Sequence, residues 1–333
     1  MILGAFQHTI EETIMFRSLL IYLSKAAWAR NIVTRWSIAW QAASRFVAGD
    51  KLEDAIQAIR TLNAKGINAT LDHLGEHTTT PDEASRAVQD ILRAIDAIND
   101  SGVRANVSIK LTQIGLRLGR DLCAENLRCV LEYARARGNF VRIDMEDSPW
   151  VDATLGLYRQ MTECCLDNSG VVIQSYLYRS EQDVRQLTAN GARIRLCKGA
   201  YKEPADVAYP KKSDVDDNYD RLAEIMIDAA LAHNAPRLSP DGRIPPLPAI
   251  ASHDPRRLEH AKAYAAQAGL PKDAIEFQML YGIRRDLQEQ TVAQGYPVRV
   301  YVPYGTEWYP YFMRRLAERP ANVWFFLSNF FRR

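Results

Sequence analysis

An excess of either charge is missing from this sequence. Its 42 Lys and Arg nearly cancel 40 Asp and Glu in 333 residues, a formal +2, so the composition carries no electrostatic footprint for nucleic acid. Cysteine is scarce, at five, an odd number with no Cys-x-x-Cys spacing; the adjacent Cys164 and Cys165 fall in a helical pattern. This argues against a disulfide scaffold or a structural zinc site and predicts a reduced, cytoplasmic protein with packed thiols. Long hydrophobic runs are also absent. The segment from Leu19 to Leu23 is broken by Arg17 and Lys25 and falls far short of the ~20 residues of a membrane span. Glu11 and Glu12 precede it, unlike the basic start of a signal peptide. No Gly-x-Gly-x-x-Gly follows any strand-like run, which counts against a dinucleotide-binding open sheet.

What is present describes a globular chain with ample core: 47% hydrophobic and 25% charged residues, more consistent with one large domain than with several small ones. Residues up to about Ala48 read as helices, with no glycine between Gly4 and Gly49. Trp28, Trp36 and Trp40 predict a helical arm packed on something larger. A further amphipathic helix through Leu52, Ile56, Ile59 and Leu62 ends at the C-cap Lys65-Gly66. We therefore expect residues 1–66 to form an N-terminal arm and residues 67–333 a catalytic barrel with C-terminal helices.

From Ile67 a rhythm sets in. Strand-like runs occur at Ile67–Leu71, Val103–Ile109, Phe140–Ile143, Val171–Gln174, Arg193–Leu196, Ala249–Ser252, Ile275–Gln278 and Val298–Val302, where Pro303 and Gly305 signal a stop. Helical patterns separate them: Asp82–Asn99, Arg120–Arg137, Val151–Leu166, Glu181–Ala189, Asp217–His233, Pro255–Ala268, Arg284–Ala293 and Tyr309–Arg319. Roughly eight strand–helix units in about 250 residues predict an α/β fold, a (β/α)8 barrel. Such barrels carry their chemistry at the C-terminal strand ends. Those ends hold Asp72, His73 and Glu76; Lys110; Asp144 and Glu146; Gln174; Arg195 and Lys198; Ser252 and His253; Gln278; and Tyr301. Any one of these could be an ordinary solvated loop residue. Together they predict a polar mouth above apolar strand interiors.

Three chemistries compete for that mouth. His73, Asp144, Glu146 and His253 are metal-ligand types, but there is no His-x-His pair and the surrounding lysines and arginines would repel a cation, so no metal is expected. A Schiff-base aldolase on Lys110 or Lys198 stays open. The third rests on Arg195-Leu196-Cys197-Lys198-Gly199-Ala200-Tyr201, where a strand ends in two cations and Gly199 lets the backbone come close to an anion. After Tyr301, the helix through Trp308 sets Tyr311 three residues before Arg314 and Arg315 three before Glu318. Adjacent guanidiniums beside tyrosines suit a small carboxylate; spacing alone equally permits a surface arginine pair salt-bridged to Glu318.

Arg195-Leu196-Cys197-Lys198-Gly199-Ala200-Tyr201, Tyr301-Val302-Pro303-Tyr304-Gly305, Tyr311-x-x-Arg314-Arg315-x-x-Glu318 and Thr70-Leu71-Asp72-His73-Leu74-Gly75-Glu76 resemble the proline dehydrogenase family, in its small monofunctional bacterial form. The motifs fall in order over residues of about 67 to 320. The resemblance implies a distorted (β/α)8 barrel that binds FAD, oxidises L-proline to Δ1-pyrroline-5-carboxylate and passes electrons to a membrane quinone. It implies that Arg314 and Arg315 clamp the carboxylate beside Lys110, and that Tyr301, Tyr311, Tyr201 and Leu280 wall the ring. Asp144 would fix Lys110, and Arg195 would approach the flavin near N5. Met145, Gln174, Lys198, Gly199, Ala200, Ser252 and His253 would hold the flavin and its phosphates. Glu76 would pair with Arg314 in the empty site, as a gate. By the same resemblance a bulky Tyr311 favours proline over its hydroxylated form.

Cys197 stands where the family usually has an aliphatic residue, which makes it a packed thiol. His77 reads as a solvated loop residue, and Gly242 to Pro248, with three prolines, as a stiff loop. The aromatic run Val323–Phe331 reads as a helix packed over the barrel, with an interfacial membrane helix as the rival. A peripheral visit to the inner face of the cytoplasmic membrane follows if the oxidant is a quinone. No aldehyde-dehydrogenase region occurs in these residues, so a separate dehydrogenase for the product is expected. Two other readings are a methylenetetrahydrofolate reductase-like flavin barrel, which should lack the Arg314-Arg315 clamp, and a non-catalytic amino-acid-binding barrel.

Overall fold

A computed structural model of the chain describes residues 37–75 and 78–318. Trp28, Trp36, Glu76, His77 and the run Val323–Phe331 lie outside the described residues, as does the side chain of Glu318. Eight parallel strands close into a barrel in sequence order: β1 Asn68–His73, β2 Ala105–Ile109, β3 Val141–Ile143, β4 Ser169–Gln174, β5 Arg193–Cys197, β6 Pro248–Ala251, β7 Glu276–Leu280 and β8 Val298–Tyr304. Closure runs through β1 and β8, with Ala69 opposite Val300 and Thr70 opposite Tyr301. The expected (β/α)8 architecture is therefore the observed one. Among the described residues, α1 (Ser37–Ala43) and α2 (Leu52–Ala64) precede the barrel. Helices α3 (Pro81–Ser101), α4 (Arg120–Ala136), α5 (Val151–Glu163), α6 (Ser180–Ala189), α7 (Lys212–Ala232), α8 (Pro255–Ala268), α9 (Arg285–Ala293) and α10 (Trp308–Glu318) follow the strands in turn.

Local chemistry explains the element ends. In α3, Thr80 caps the first turn and Glu83 reaches back to it, Pro81 occupies the first helical position, and Gly102 ends the helix at φ 63°. β8 runs through Pro303, which sequence alone reads as its stop. The ladder to β7 ends at Tyr301, so on that side Pro303 has no pairing to break. Its carbonyl accepts the Ala48 amide at 2.9 Å. Helix α5 stops at Glu163, because Cys165 is left-handed at φ 62°. The cysteine pair therefore lies outside the helix. The expectation of packed thiols is corrected too: Cys123 is buried, Cys197 is half-buried, and Cys129, Cys164 and Cys165 are exposed. None of the five forms a disulfide.

Along the strands, residues two apart share a face. The outward face is apolar (Leu71, Val107, Val141, Ile194, Phe277, Val300) and packs with Ile95, Leu127 and Leu258 from the surrounding helices in one continuous core. Helix α2 joins that core through Ala55, Ile56 and Ile59. The inward face is polar, contrary to the expectation of apolar strand interiors. Thr70 donates to its neighbour Asn106 on the adjacent strand at 2.6 Å. Arg299 and Glu276, 1% and 0% exposed, pair through two 2.9 Å bonds. Arg142 donates to the Val171 carbonyl at 3.0 Å, and Gly170 makes room for it: a β-carbon there would lie 2.6 Å from the guanidinium. The loop from Ser239 to Leu247 closes the N-terminal end, where Arg299 grips the Gly242 carbonyl and Asn106 the Arg243 carbonyl. A second apolar cluster joins α1 and α10, with the Trp40 ring tilted against that of Trp308 at 5.4 Å between centroids.

Candidate active site

At the C-terminal ends of the strands lies a cavity of about 410 Å³, within the range of small-ligand and cofactor sites. Its wall contains Lys110, Asp144, Met145, Gln174, Arg195, Lys198, Gly199, Ala200, Tyr201, Ser252, His253, Leu280, Tyr301, Tyr311, Arg314 and Arg315. The fold thus brings together every residue that the family resemblance assigned to substrate or flavin; of the other strand-end residues Asp72, His73 and Glu146 do not line the cavity, and Glu76 lies outside the described residues. Gln278, Met279, Val172, Ala251 and Cys197 complete the wall. Arg314 and Arg315 are half-buried there, with the Arg315 guanidinium 5.1 Å from the Tyr311 ring centre. Among the described residues there is no cluster able to hold a metal ion.

The floor of the cavity is organised by Asp144, just past β3. Its carboxylate accepts from Ser108 Oγ at 2.6 Å, Arg195 Nη1 at 2.8 Å and the Tyr301 hydroxyl at 2.8 Å. Lys110 Nζ is 4.0 Å away. That lysine lies nearer to Asp72, at 3.2 Å, on the neighbouring strand β1. Asp144 thus reaches Lys110 at ion-pair distance, but Asp72 is the closer anchor, because β1 and β2 are adjacent, and the shorter bonds of Asp144 go to Ser108, Arg195 and Tyr301. Burial raises the carboxyl of Asp72 above its usual range, against the opposing pull of Lys110. Burial, reinforced by Asp144 and Asp72, pushes the Tyr301 hydroxyl well above the ordinary phenol range. Tyr301 therefore stays protonated and donates.

On the β4–β6 side, Gln174 donates to the Glu146 carbonyl at 2.7 Å, which orients its amide. His253 Nε2 accepts the Leu280 amide at 2.9 Å, which assigns the ring proton to Nδ1. Lys198 follows the end of β5 and is held by Asp216 at 2.5 Å and Asp254 at 3.2 Å. Gly199 is left-handed at φ 110°, and a β-carbon there would lie 2.4 Å from the Tyr176 ring. Only glycine lets the chain turn at that point. Cations, backbone amides and hydroxyls thus face one apolar-sided cavity. Such an arrangement can hold an anionic ligand at two separate places.

The sequence placed Asp72 and Gln278 at the polar mouth without assigning either a partner, and it did not mark Ser108 at all. The signal was there as alternation: Asn106 and Ser108 on β2 and Lys110 just after it lie two apart, as do Glu276 and Gln278 on β7. Only closure of the barrel turns those polar faces toward one another.

A model of the family described as proline dehydrogenase matches residues 55–327. The chain is 43% identical over 294 residues to the proline dehydrogenase of Deinococcus radiodurans, covering 87% of this chain and 90% of that protein. It is 38% identical over 318 residues to proline dehydrogenase 1 of Bacillus subtilis, covering 95% and 99%. Among solved structures, proline utilization A from Bdellovibrio bacteriovorus, inactivated by N-propargylglycine, superposes with a TM-score of 0.76 at 25% identity. That alignment covers 92% of this chain and 36% of the longer one, so this chain spans about a third of that protein's length. With a family match over most of its length and such identity across whole relatives, the chain belongs to the proline dehydrogenase family.

Proposed function

We propose that this protein oxidises L-proline to Δ1-pyrroline-5-carboxylate in proline catabolism, using FAD. The observation that carries this reading is the meeting of the Arg314-Arg315 pair with Lys110, Tyr301 and Arg195 around one cavity. The residues present suit a flavin: Gln174, Ser252, His253 and the amides after Lys198 form a donor set for a polar ring edge and phosphates. The tight turn at Gly199 supports close approach of backbone to such a group. When bound, FAD would supply the hydride acceptor, with a quinone as the onward electron acceptor in this reading.

The protein's own share is binding, orientation and charge. Arg314 and Arg315 hold the proline carboxylate, with the planar guanidinium fork matching its two oxygens. Lys110 adds a third cation, and Tyr201, Tyr301, Tyr311 and Leu280 enclose the ring. A hydride leaves C5 only as the nitrogen lone pair forms the C=N bond, so the amine must lose its proton. A site where cations outnumber carboxylates favours that loss. Binding energy from the carboxylate end then fixes C5 in place, which is catalysis by orientation. Tyr311 on the wall leaves little room for a ring hydroxyl, which supports proline over hydroxyproline. The pairing of Glu76 with Arg314 as a gate belongs to this reading, as do the arm at residues 1–66 and the catalytic barrel at 67–333. So do a cytoplasmic setting with a peripheral visit to the inner membrane face and a separate dehydrogenase for the product. Among the described residues no helix is long and apolar enough to cross a membrane.

Purified protein should be yellow and should bleach anaerobically on addition of proline. Yellow protein that ignores proline but bleaches with another amine would move the substrate, and colourless protein that does not take up FAD would end the proposal.

A further inference from the structure

Arg195 is held at two nitrogens by residues from β2, β7 and the end of β3. Nη1 donates to Asp144 at 2.8 Å and more weakly to Ser108 at 3.4 Å, and Nε donates to Gln278 Oε1 at 2.6 Å. Two anchors fix both the plane of a guanidinium and its rotation within that plane. Among the described residues Nη2 has no hydrogen-bond partner, and Arg195 lines the cavity. The orientation of this arginine therefore depends on which atom Gln278 offers it. An amide can offer either its oxygen or its nitrogen, and the wrong choice would set two donors face to face.

The choice is made one layer deeper. Gln278 Nε2 donates to Glu276 Oε1 at 2.6 Å. Glu276 is two residues earlier on β7 and shares the inward face. It is fully buried, and Arg299 holds it through two 2.9 Å bonds. As an ionised carboxylate, Glu276 can only accept. The nitrogen of Gln278 must therefore face the barrel floor, which leaves its oxygen for Arg195. We infer that Glu276 and Gln278 are positioning residues: the Arg299–Glu276–Gln278 chain selects one orientation of the amide and so aims Arg195 at the cavity. The inference rests on the reading above that Arg195 acts on the flavin at that cavity.

Gln278→Leu removes the acceptor for Arg195, and Gln278→Glu keeps an acceptor while setting two carboxylates against each other at Glu276. In the holoenzyme, Gln278→Leu should slow flavin reduction at saturating proline about tenfold, as expected for a misplaced catalytic group. It should change KM for proline less than about twofold and lower the flavin midpoint potential. Gln278→Glu should return the rate and the potential most of the way to wild type while its Tm stays as low as that of Gln278→Leu, or lower. Rate following the acceptor, with Tm following the Glu276 contact, supports positioning. Rate falling in step with Tm in both variants, or wild-type rate and potential in Gln278→Leu, overturns it. Arg195→Met separates the two layers. If it lowers rate and potential while Gln278→Leu does not, the relay falls and the reading of Arg195 stands. If Arg195→Met leaves both unchanged, both fall.

Discussion

Replacing Asp144 by asparagine tests the organisation of the cavity floor. The carboxylate takes three hydrogen bonds, from Arg195, Ser108 and Tyr301, and Lys110 lies 4.0 Å away. Asparagine keeps one acceptor oxygen. Its least costly placement turns the oxygen to Arg195 and Ser108 and the NH2 to Tyr301, whose hydroxyl can accept. The shape then survives and the charge is lost. A hydrogen bond to an ionised partner is worth about 1 kcal/mol more than a neutral one, so Asp144→Asn should cost about 3 kcal/mol over the three. For a chain of 333 residues that lowers Tm by roughly 4 °C. Arg195 and Lys110 also lose an anion they share, and loosened orientation of that order slows chemistry about a hundredfold. Differential scanning fluorimetry reads the first effect and anaerobic stopped-flow reduction by proline the second. Wild-type melting, or the expected loss of stability with an unchanged reduction rate, would refute the reasoning.

Other outcomes follow from the same geometry. Arg315→Met should raise KM for proline about 10- to 100-fold, the worth of a charge-assisted pair, with flavin content unchanged; equal loss of both would mean a folding role. Gly199→Ala forces a methyl toward the Tyr176 ring from a left-handed backbone and should cost about 1–3 kcal/mol with reduced flavin content, read from the ratio of flavin to protein absorbance. A fully loaded variant of unchanged Tm would contradict this. Asp254 gives a pH signature. Burial pushes its carboxyl up, but hydrogen bonds from Lys198 and the Arg256 amide outweigh that and hold it at about 2, below its ordinary 3.8. A depressed carboxyl stabilises the fold above its unfolded value and loses that contribution as pH falls through the folded one, here about 2 kcal/mol lost between pH 4 and 2. Asp254→Asn should flatten that part of the acid unfolding curve, and an unchanged curve would exclude the effect.

The eight strand–helix units were legible because each depends on local signals. Apolar alternation marks a strand, and Lys65-Gly66 closes a helix. The arginine pair at 314–315 and the Lys198-Gly199-Ala200 turn were legible as motifs. Reading failed where meaning depended on a distant neighbour. Pro303 looks like a strand breaker until β7 is seen to end beside Tyr301. Cys164 and Cys165 look packed until the left-handed turn at Cys165 is seen to expose them.

By itself, then, the sequence determined the strand–helix alternation, the family, and which residues stand at the strand ends, since all of these are carried by residues within a few positions of one another. Tertiary structure alone decided who meets whom inside the cylinder. Glu276 and Arg299 are 23 residues apart, Arg195 and Gln278 are 83 apart, and Tyr301 and Asp144 are 157 apart. Their alternation could equally belong to a strand with one wet face. Closing β1 on β8 removes the water from that face, and each buried charge must then find its partner on another strand of the lumen.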